Sequence, residues 1–249
     1  MGLNGSILSF GKFAGSELSR QLMRDETRAL GELSKRGIGA PKLIFADDID
    51  GRFVTLQKPL TGKPITPAIS YGTLGLLASL RSSRTQLATD CDMIALLPQR
   101  IMRRPDLIEA FHDALPVLAH TRVPSTIIHG DFAPWNLREH DGCTVAFDWE
   151  YAELDGLPFI DETHYRLQVG YLLDGWDLRR AGQCLQQMRA NNDLSLSTEQ
   201  MRAIQIIYLI DQLARLFTEG YDESENDMVG WYCKLLRELT AMRKELIAV

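Results

Sequence analysis

Two short segments decide the fold: Ile127–Asn136, which reads IIHGDFAPWN, and Val145–Glu150, which reads VAFDWE. Two apolar β-branched residues lead into His129, so a buried strand is predicted to end there. Gly130 and Pro134 then require a loop. Loops of this kind often carry catalytic groups, because a rigid scaffold holds them while solvent still reaches them.

A hairpin is predicted to connect the two segments. Asp141-Gly142 is a typical two-residue hairpin turn. Pairing outward from that turn places Asn136 opposite Phe147 and makes Asp148 its diagonal neighbour. An amide and a carboxylate then meet at the strand ends, with Asp131 on the adjoining loop. Converging oxygen donors suit Mg²⁺, which takes few protein ligands and completes its shell with phosphate and water.

These residue types match the needs of phosphoryl transfer, which depends mainly on positioning and charge neutralisation. One carboxylate must orient the acceptor hydroxyl and accept its proton, a role that suits Asp131. An amide and a second carboxylate must hold the metal against the phosphates, a role that suits Asn136 and Asp148. Each residue type alone is also common in turns. The joint pattern H-G-D-x-x-x-x-N, followed by Asp-Trp, favours a catalytic role for these residues over a purely structural one.

The His129–Asn136 segment, followed by Asp148–Glu150, resembles the catalytic loop and metal-binding motif of the aminoglycoside phosphotransferase and choline kinase-like family. The resemblance implies an α+β, bilobal, protein-kinase-like fold. It also implies that Asp131 is the catalytic base, and that Asn136 and Asp148 are magnesium ligands.

Two further residues resemble supporting positions of that family. Pro158 and Asp161 match a Pro-x-x-Asp pattern that commonly follows the metal motif, where the aspartate supports the catalytic loop. We expect His129 to brace the same loop through hydrogen bonds.

The first helix indicates a nucleotide-binding pair. Leu18, Leu22, Glu26 and Leu30 are spaced by four, so Glu26 interrupts an apolar stripe. A carboxylate there needs a partner, and Lys12 on the preceding strand is the obvious one. The segment resembles the kinase pair in which a strand lysine touches the phosphates and a helix glutamate holds it. Alternatively, Glu26 reaches solvent and Lys12 is an ordinary surface lysine.

The order of predicted elements gives two lobes, residues 1–60 for nucleotide binding and 61–249 for catalysis and substrate, with a turn-rich hinge at 59–64. The first lobe contains a strand over 6–13, a helix over 17–36, and strands over 42–46 and 52–58. The second is mostly helical. It has one strand pair around 126–129 and 136–147, a capped helix over 198–219, and a helix from about Met228 onward.

One departure from the family pattern concerns the nucleotide side. The family places two strands and a glycine-rich, phosphate-covering loop before the lysine strand, and here only Met1–Ser6 precede it. Gly2, Asn4 and Gly5 are loop-like but too few for that hairpin. A truncated chain, a domain of a longer polypeptide, and a minimal or impaired kinase are all compatible with this. Without that loop, weaker nucleotide binding is expected.

The composition argues against several classes of binding partner. The 249 residues carry a net charge of −6, which argues against a nucleic-acid partner. The four cysteines form no C-x-x-C pair, which favours a reduced compartment without structural zinc. Met1–Lys12 lacks a signal-peptide pattern, and no apolar run reaches membrane-spanning length. We therefore expect a cytoplasmic protein with no membrane partner.

The sequence thus predicts an ATP- or GTP-dependent, Mg²⁺-dependent phosphotransferase acting on a small-molecule hydroxyl, such as that of an aminoglycoside, an amino alcohol or a sugar-like metabolite. Acidic residues of the helical lobe are candidates for binding the acceptor: Glu150, Glu153, Asp155 and Asp174. A catalytically impaired kinase-like binding or regulatory module is the alternative. A metal-dependent phosphoesterase is a third option, against which the scattered histidines argue.

Overall fold

The computed structural model describes residues 7–224 and 226–247. The strands of this part of the chain are β1 Phe10–Phe13, β2 Leu43–Ile49, β3 Arg52–Gln57, β4 Lys63–Pro64, β5 Arg81–Leu87, β6 Arg122–Ile128, β7 Leu137–His140, β8 Cys143–Ala146 and β9 Glu153–Gly156. Its helices are α1 Glu17–Lys35, α2 Tyr71–Ser79, α3 Asp92–Ile101, α4 Pro105–Leu118, α5 Ile160–Leu172, α6 Leu178–Ala190, α7 Thr198–Thr218 and α8 Asp227–Ile247. The α+β class expected from the sequence is confirmed.

The chain divides into two compact units. The first contains the chain up to Arg81 together with Thr126–Leu154, and the second contains Ser82–Ser125 and the chain from Asp155 onward. The chain passes from one unit to the other within strands β5, β6 and β9. The expected lobes, 1–60 and 61–249, stay a prediction.

The first unit begins with an antiparallel sheet in the order β1-β3-β2. Asp50 and Gly51 both have positive φ at the tight turn between β2 and β3, as the Asp-Gly signal predicts. Helix α1 begins after Ser16, whose side chain accepts a hydrogen bond from the Ser19 backbone N–H. It ends near Gly37, which takes the left-handed conformation common after helix ends.

A second sheet of the same unit, in the order β4-β7-β8, carries the predicted hairpin. Leu137 pairs with Ala146, and His140 pairs with Cys143, so the register inferred from Asp141-Gly142 is confirmed. Strand β4 pairs with β7 at the end of the segment expected to be a hinge.

The second unit is mostly helical, and α7 lies at its centre. Most residues of α7 are buried, and the helix packs against α3 to α6 and α8. The predicted capping box is confirmed, because Ser197 and Gln200 exchange side-chain hydrogen bonds with each other's backbone. No helix among the described residues is both long and apolar enough to cross a membrane.

Some elements differ from the sequence-based expectation. The first strand was expected from Ser6 but starts at Phe10, and the expectations for Gly2, Asn4 and Gly5 lie outside the described residues. Strands β6 and β7, which were expected in one strand pair, belong to different sheets. Strand β5 was not expected, because its sequence RSSRTQL has no alternating apolar pattern.

Candidate active site

His129 fastens the loop that follows β6. It is fully buried, and its Nε2 lies 2.9 Å from the carbonyl oxygen of Phe147, to which it donates. Its Nδ1 lies 3.3 Å from the backbone N–H of Asp131, from which it accepts. The ring also packs on Trp149, with ring centroids 4.5 Å apart. One imidazole therefore joins the loop that carries Asp131 to the strand end that carries Asp148.

Gly130 is required by the conformation of this loop. Its φ is +81°, and a Cβ built on it would overlap the carbonyl oxygen of Tyr151. A residue with a side chain would therefore be strained and would also displace the neighbouring segment. Glycine is therefore strongly favoured at this turn before Asp131.

Asn136 orients the carboxylate of Asp131. Its Nδ2 donates to Asp131 Oδ2 at 2.8 Å and to the Asp131 carbonyl oxygen at 2.9 Å. The backbone N–H of Phe147 donates to the Asn136 carbonyl at 3.1 Å, which is the facing pair that the hairpin predicts. Because the amide nitrogen points toward Asp131, the amide oxygen points away from it.

Asp148 follows β8 in a left-handed conformation with φ +66°. The next residue, Trp149, is fully buried and donates from Nε1 to the carbonyl oxygen of Ala146 at 3.0 Å. This anchor holds the bend, while the Asp148 side chain stays 41% exposed. Trp149 is therefore a packing residue.

Lys12 stands among three carboxylates. Its Nζ lies 2.6 Å from Asp148 Oδ1, 3.1 Å from both carboxylate oxygens of Glu26, and 3.9 Å from Glu150 Oε2. Glu26 is only 1% exposed, so its charge depends on this partner. The structure thus brings together the strand lysine, the helix glutamate and the aspartate of the metal motif.

The electrostatics of this cluster are those of a partly desolvated ion network. Burial lowers the pKa of Lys12, but the hydrogen bond to Asp148 and the charge of Glu26 outweigh it, so the pKa lies above its ordinary value. Burial, followed by the charge of Asp148, raises the pKa of Glu150, although Lys12 opposes the shift.

The donor set fits a metal that also binds phosphate. In the described part of the chain, no group of three or more His, Cys, Asp or Glu side chains could hold a metal ion by itself. Mg²⁺ commonly takes only one or two carboxylates together with substrate phosphates and water. An amide oxygen from Asn136 and a carboxylate oxygen from Asp148 are hard ligands of the required kind.

The remaining predicted residues lie in different surroundings. Glu153 is half-buried at the start of β9. Asp155 accepts hydrogen bonds from Gln86 Nε2 at 2.7 Å and from Ser125 Oγ at 2.6 Å. Asp161 is buried in the first turn of α5. Asp174 is exposed after α5.

The direct bond between Lys12 and Asp148 was not predicted from the sequence. The two residues are 136 positions apart, and each had been assigned a different partner. No local pattern reports such a contact.

Comparisons with known proteins identify the family and the fold of the chain. A family model described as the phosphotransferase enzyme family matches residues 11–161, more than half of the chain. None of the curated proteins compared with the chain matches it.

Solved structures share the fold. A thermostable mutant of aminoglycoside phosphotransferase APH(4)-Ia has a TM-score of 0.64 at 11% identity, over 94% of this chain and 87% of that one. Aminoglycoside 2'-phosphotransferase-IIIa, solved as a GDP complex, has a TM-score of 0.54 at 16% identity, over 95% and 87%. Phosphotransferase APH(3'')-Id from Streptomyces rimosus ATCC10970, solved with ADP and streptomycin, has a TM-score of 0.53 at 14% identity, over 83% and 87%.

The fold is therefore that of the aminoglycoside phosphotransferases. The chain belongs to the phosphotransferase enzyme family. Its activity class is accordingly that of a small-molecule phosphotransferase, as expected from the two motifs.

Proposed function

We propose that the chain transfers the γ-phosphoryl group of ATP or GTP to a hydroxyl group of a small molecule, with Asp131 as the catalytic base. The observation that carries the proposal is the ion cluster around Lys12. It lies in the same compact unit as the loop on which Asn136 orients Asp131. An isolated turn aspartate would need none of these partners.

The proposed roles follow from the positions of the side chains. The acceptor oxygen forms a bond to the γ-phosphorus while the bond from that phosphorus to the β–γ bridging oxygen breaks, and the nucleoside diphosphate leaves. The hydroxyl proton passes to the Asp131 carboxylate, which the Asn136 amide holds in one orientation. His129 fixes the backbone of Asp131 and acts as a positioning residue.

Lys12 is proposed to bind the nucleotide phosphates, and Glu26 to hold the ammonium in place. Asn136 and Asp148 are proposed to hold Mg²⁺, which neutralises phosphate charge when bound. Related folds have been solved with GDP and with ADP, which supports a nucleotide donor here.

The acceptor is proposed to carry several hydroxyl or amino groups. Similar structures were solved with hygromycin B and with streptomycin, which supports an acceptor of this chemical kind. Glu150, whose carboxylate is half-buried beside Asp148, is the best placed of the predicted acceptor residues. Glu153 stays a candidate. Asp155 already accepts hydrogen bonds from neighbouring side chains, which favours a structural role.

A cytoplasmic location forms part of the proposal, because ATP is available there. The four cysteines are all unpaired thiols, which suits a reducing compartment.

The proposal is tested by following ADP release from Mg·ATP with a panel of aminoglycosides, amino alcohols and sugars. Asp131→Asn removes the base but keeps the size of the side chain, and we expect a loss of about 10²- to 10⁴-fold in kcat. Asp141→Asn is the matched control, because Asp141 is 92% exposed at the hairpin turn. Nucleotide binding without turnover by the wild type on every acceptor would favour the alternative, a binding or regulatory module.

A further inference from the structure

The shortest bond in the ion cluster joins two residues that the proposed function assigns to different ligands. Lys12 would bind phosphate and Asp148 would bind metal, yet Nζ and Oδ1 lie only 2.6 Å apart. Glu26 is buried at 3.1 Å, and Glu150 lies farther away at 3.9 Å. The cation proposed to bind phosphate and the anion proposed to bind metal are therefore paired with each other.

Each ligand competes for a charge that this ion pair neutralises. A phosphate oxygen that takes a hydrogen of the Lys12 ammonium competes with Asp148 for it. A divalent cation that takes a carboxylate oxygen of Asp148 competes with Lys12 in turn. Glu26 is expected to stay paired with Lys12 when the ligands bind, because it is almost fully buried and has no other cation within reach among the described residues.

We propose that the Lys12–Asp148 ion pair is a latch that couples the binding of metal and nucleotide. The inference rests on the proposed function. When phosphates take Lys12, Asp148 and Glu150 lose their neutralising partner and attract a divalent cation. When a cation takes Asp148, Lys12 becomes available to the phosphates. Such coupling is reciprocal, so each ligand strengthens the binding of the other by the same factor.

The latch differs from simple repulsion between carboxylates and phosphates. Asp148 and Glu150 both place a negative charge near Lys12, but only Asp148 forms a hydrogen bond with it. Asp148→Asn and Glu150→Gln each remove one negative charge without changing the size of the side chain. General repulsion predicts similar gains in metal-free nucleotide affinity for both variants, whereas the latch predicts a much larger gain for Asp148→Asn.

The test is calorimetric titration of ADP into the wild type and both variants, in excess EDTA and separately with Mg²⁺. In EDTA, we expect Asp148→Asn to bind ADP about tenfold more tightly than the wild type, the order expected for one charge-assisted hydrogen bond in a half-exposed site. Glu150→Gln should gain about twofold or less. With Mg²⁺, Asp148→Asn should bind ADP more weakly than the wild type, which is the opposite of the order expected in EDTA.

The outcomes distinguish failure of the latch from failure of the proposed function. Equal gains in the two variants, or no gain in Asp148→Asn, would overturn the latch while leaving the proposed function standing if the wild type binds Mg·ADP. A wild type that binds neither ADP nor Mg·ADP would overturn the proposed function itself. Circular dichroism of each variant identifies any loss of fold before the titrations.

Discussion

Replacement of Lys12 by methionine should destabilise the protein through Glu26 rather than through the exposed carboxylates. Methionine keeps the length of the side chain but removes the charge. Glu26 is 1% exposed and would lose the cation that lies 3.1 Å away. Breaking a fully buried ion pair costs about 3–5 kcal/mol of unfolding free energy.

The expected loss is smaller here because the pair is not fully desolvated. The side chain of Lys12 is 35% exposed, and water can partly replace it. The contacts with Asp148 and Glu150 are more exposed and contribute little to stability. We therefore expect Lys12→Met to lower the free energy of unfolding by about 1–3 kcal/mol.

Urea unfolding followed by circular dichroism measures this change. Lys42→Met is the control, because that lysine is exposed and precedes β2; it should change stability by no more than about 0.5 kcal/mol. The double variant Lys12→Met/Glu26→Gln removes both charges and should recover most of the loss. The reasoning is refuted if Lys12→Met behaves like Lys42→Met, or if the second substitution restores nothing.

Three other predictions concern the loop and the thiols. Gly130→Ala should lower the free energy of unfolding by about 1–3 kcal/mol and remove most activity, because the added Cβ is strained and overlaps the Tyr151 carbonyl oxygen. Gly142 also has positive φ, but a Cβ there meets open space, so Gly142→Ala should lower the free energy of unfolding less. Equal losses in urea unfolding would contradict this. A thiol reagent should label only Cys143 in the native protein and all four cysteines in urea, because the other three are buried. Burial raises the pKa of Cys91 from 9.0 to about 11, so the folded state holds a proton that the unfolded state releases. The unfolding free energy measured in urea should therefore fall as the pH rises from about 9 to 11, and Cys91→Ala should reduce that fall. If the variant shows the same dependence on pH as the wild type, Cys91 is not its source.

The hairpin was predictable because its information is local. Asp141-Gly142 adopts positive φ at both positions, and this conformation alone sets the pairing that brings Asn136 opposite Phe147. The capped start of α7 is local in the same sense. The Lys12–Glu26 pair could be predicted from the sequence for another reason, since a carboxylate within an apolar helix stripe requires a partner.

The elements that sequence reasoning missed lack a local signal. Strand β5 is polar except for Leu87, and its place in a sheet depends on β6, far along the chain. The Lys12–Asp148 bond depends on how β1 and the β7–β8 hairpin are brought together by the fold. Long-range juxtaposition of this kind can be obtained only from the structure.

The most direct test of the central claim follows the phosphorus atom itself. Phosphorus NMR of the wild type with Mg·ATP and the acceptor panel should show a phosphate monoester resonance growing as ADP forms. Asp141→Asn should give the same product, and Asp131→Asn should give essentially none. Equal product from the two variants, or no monoester from the wild type with any acceptor while Mg·ATP is bound, would contradict the account.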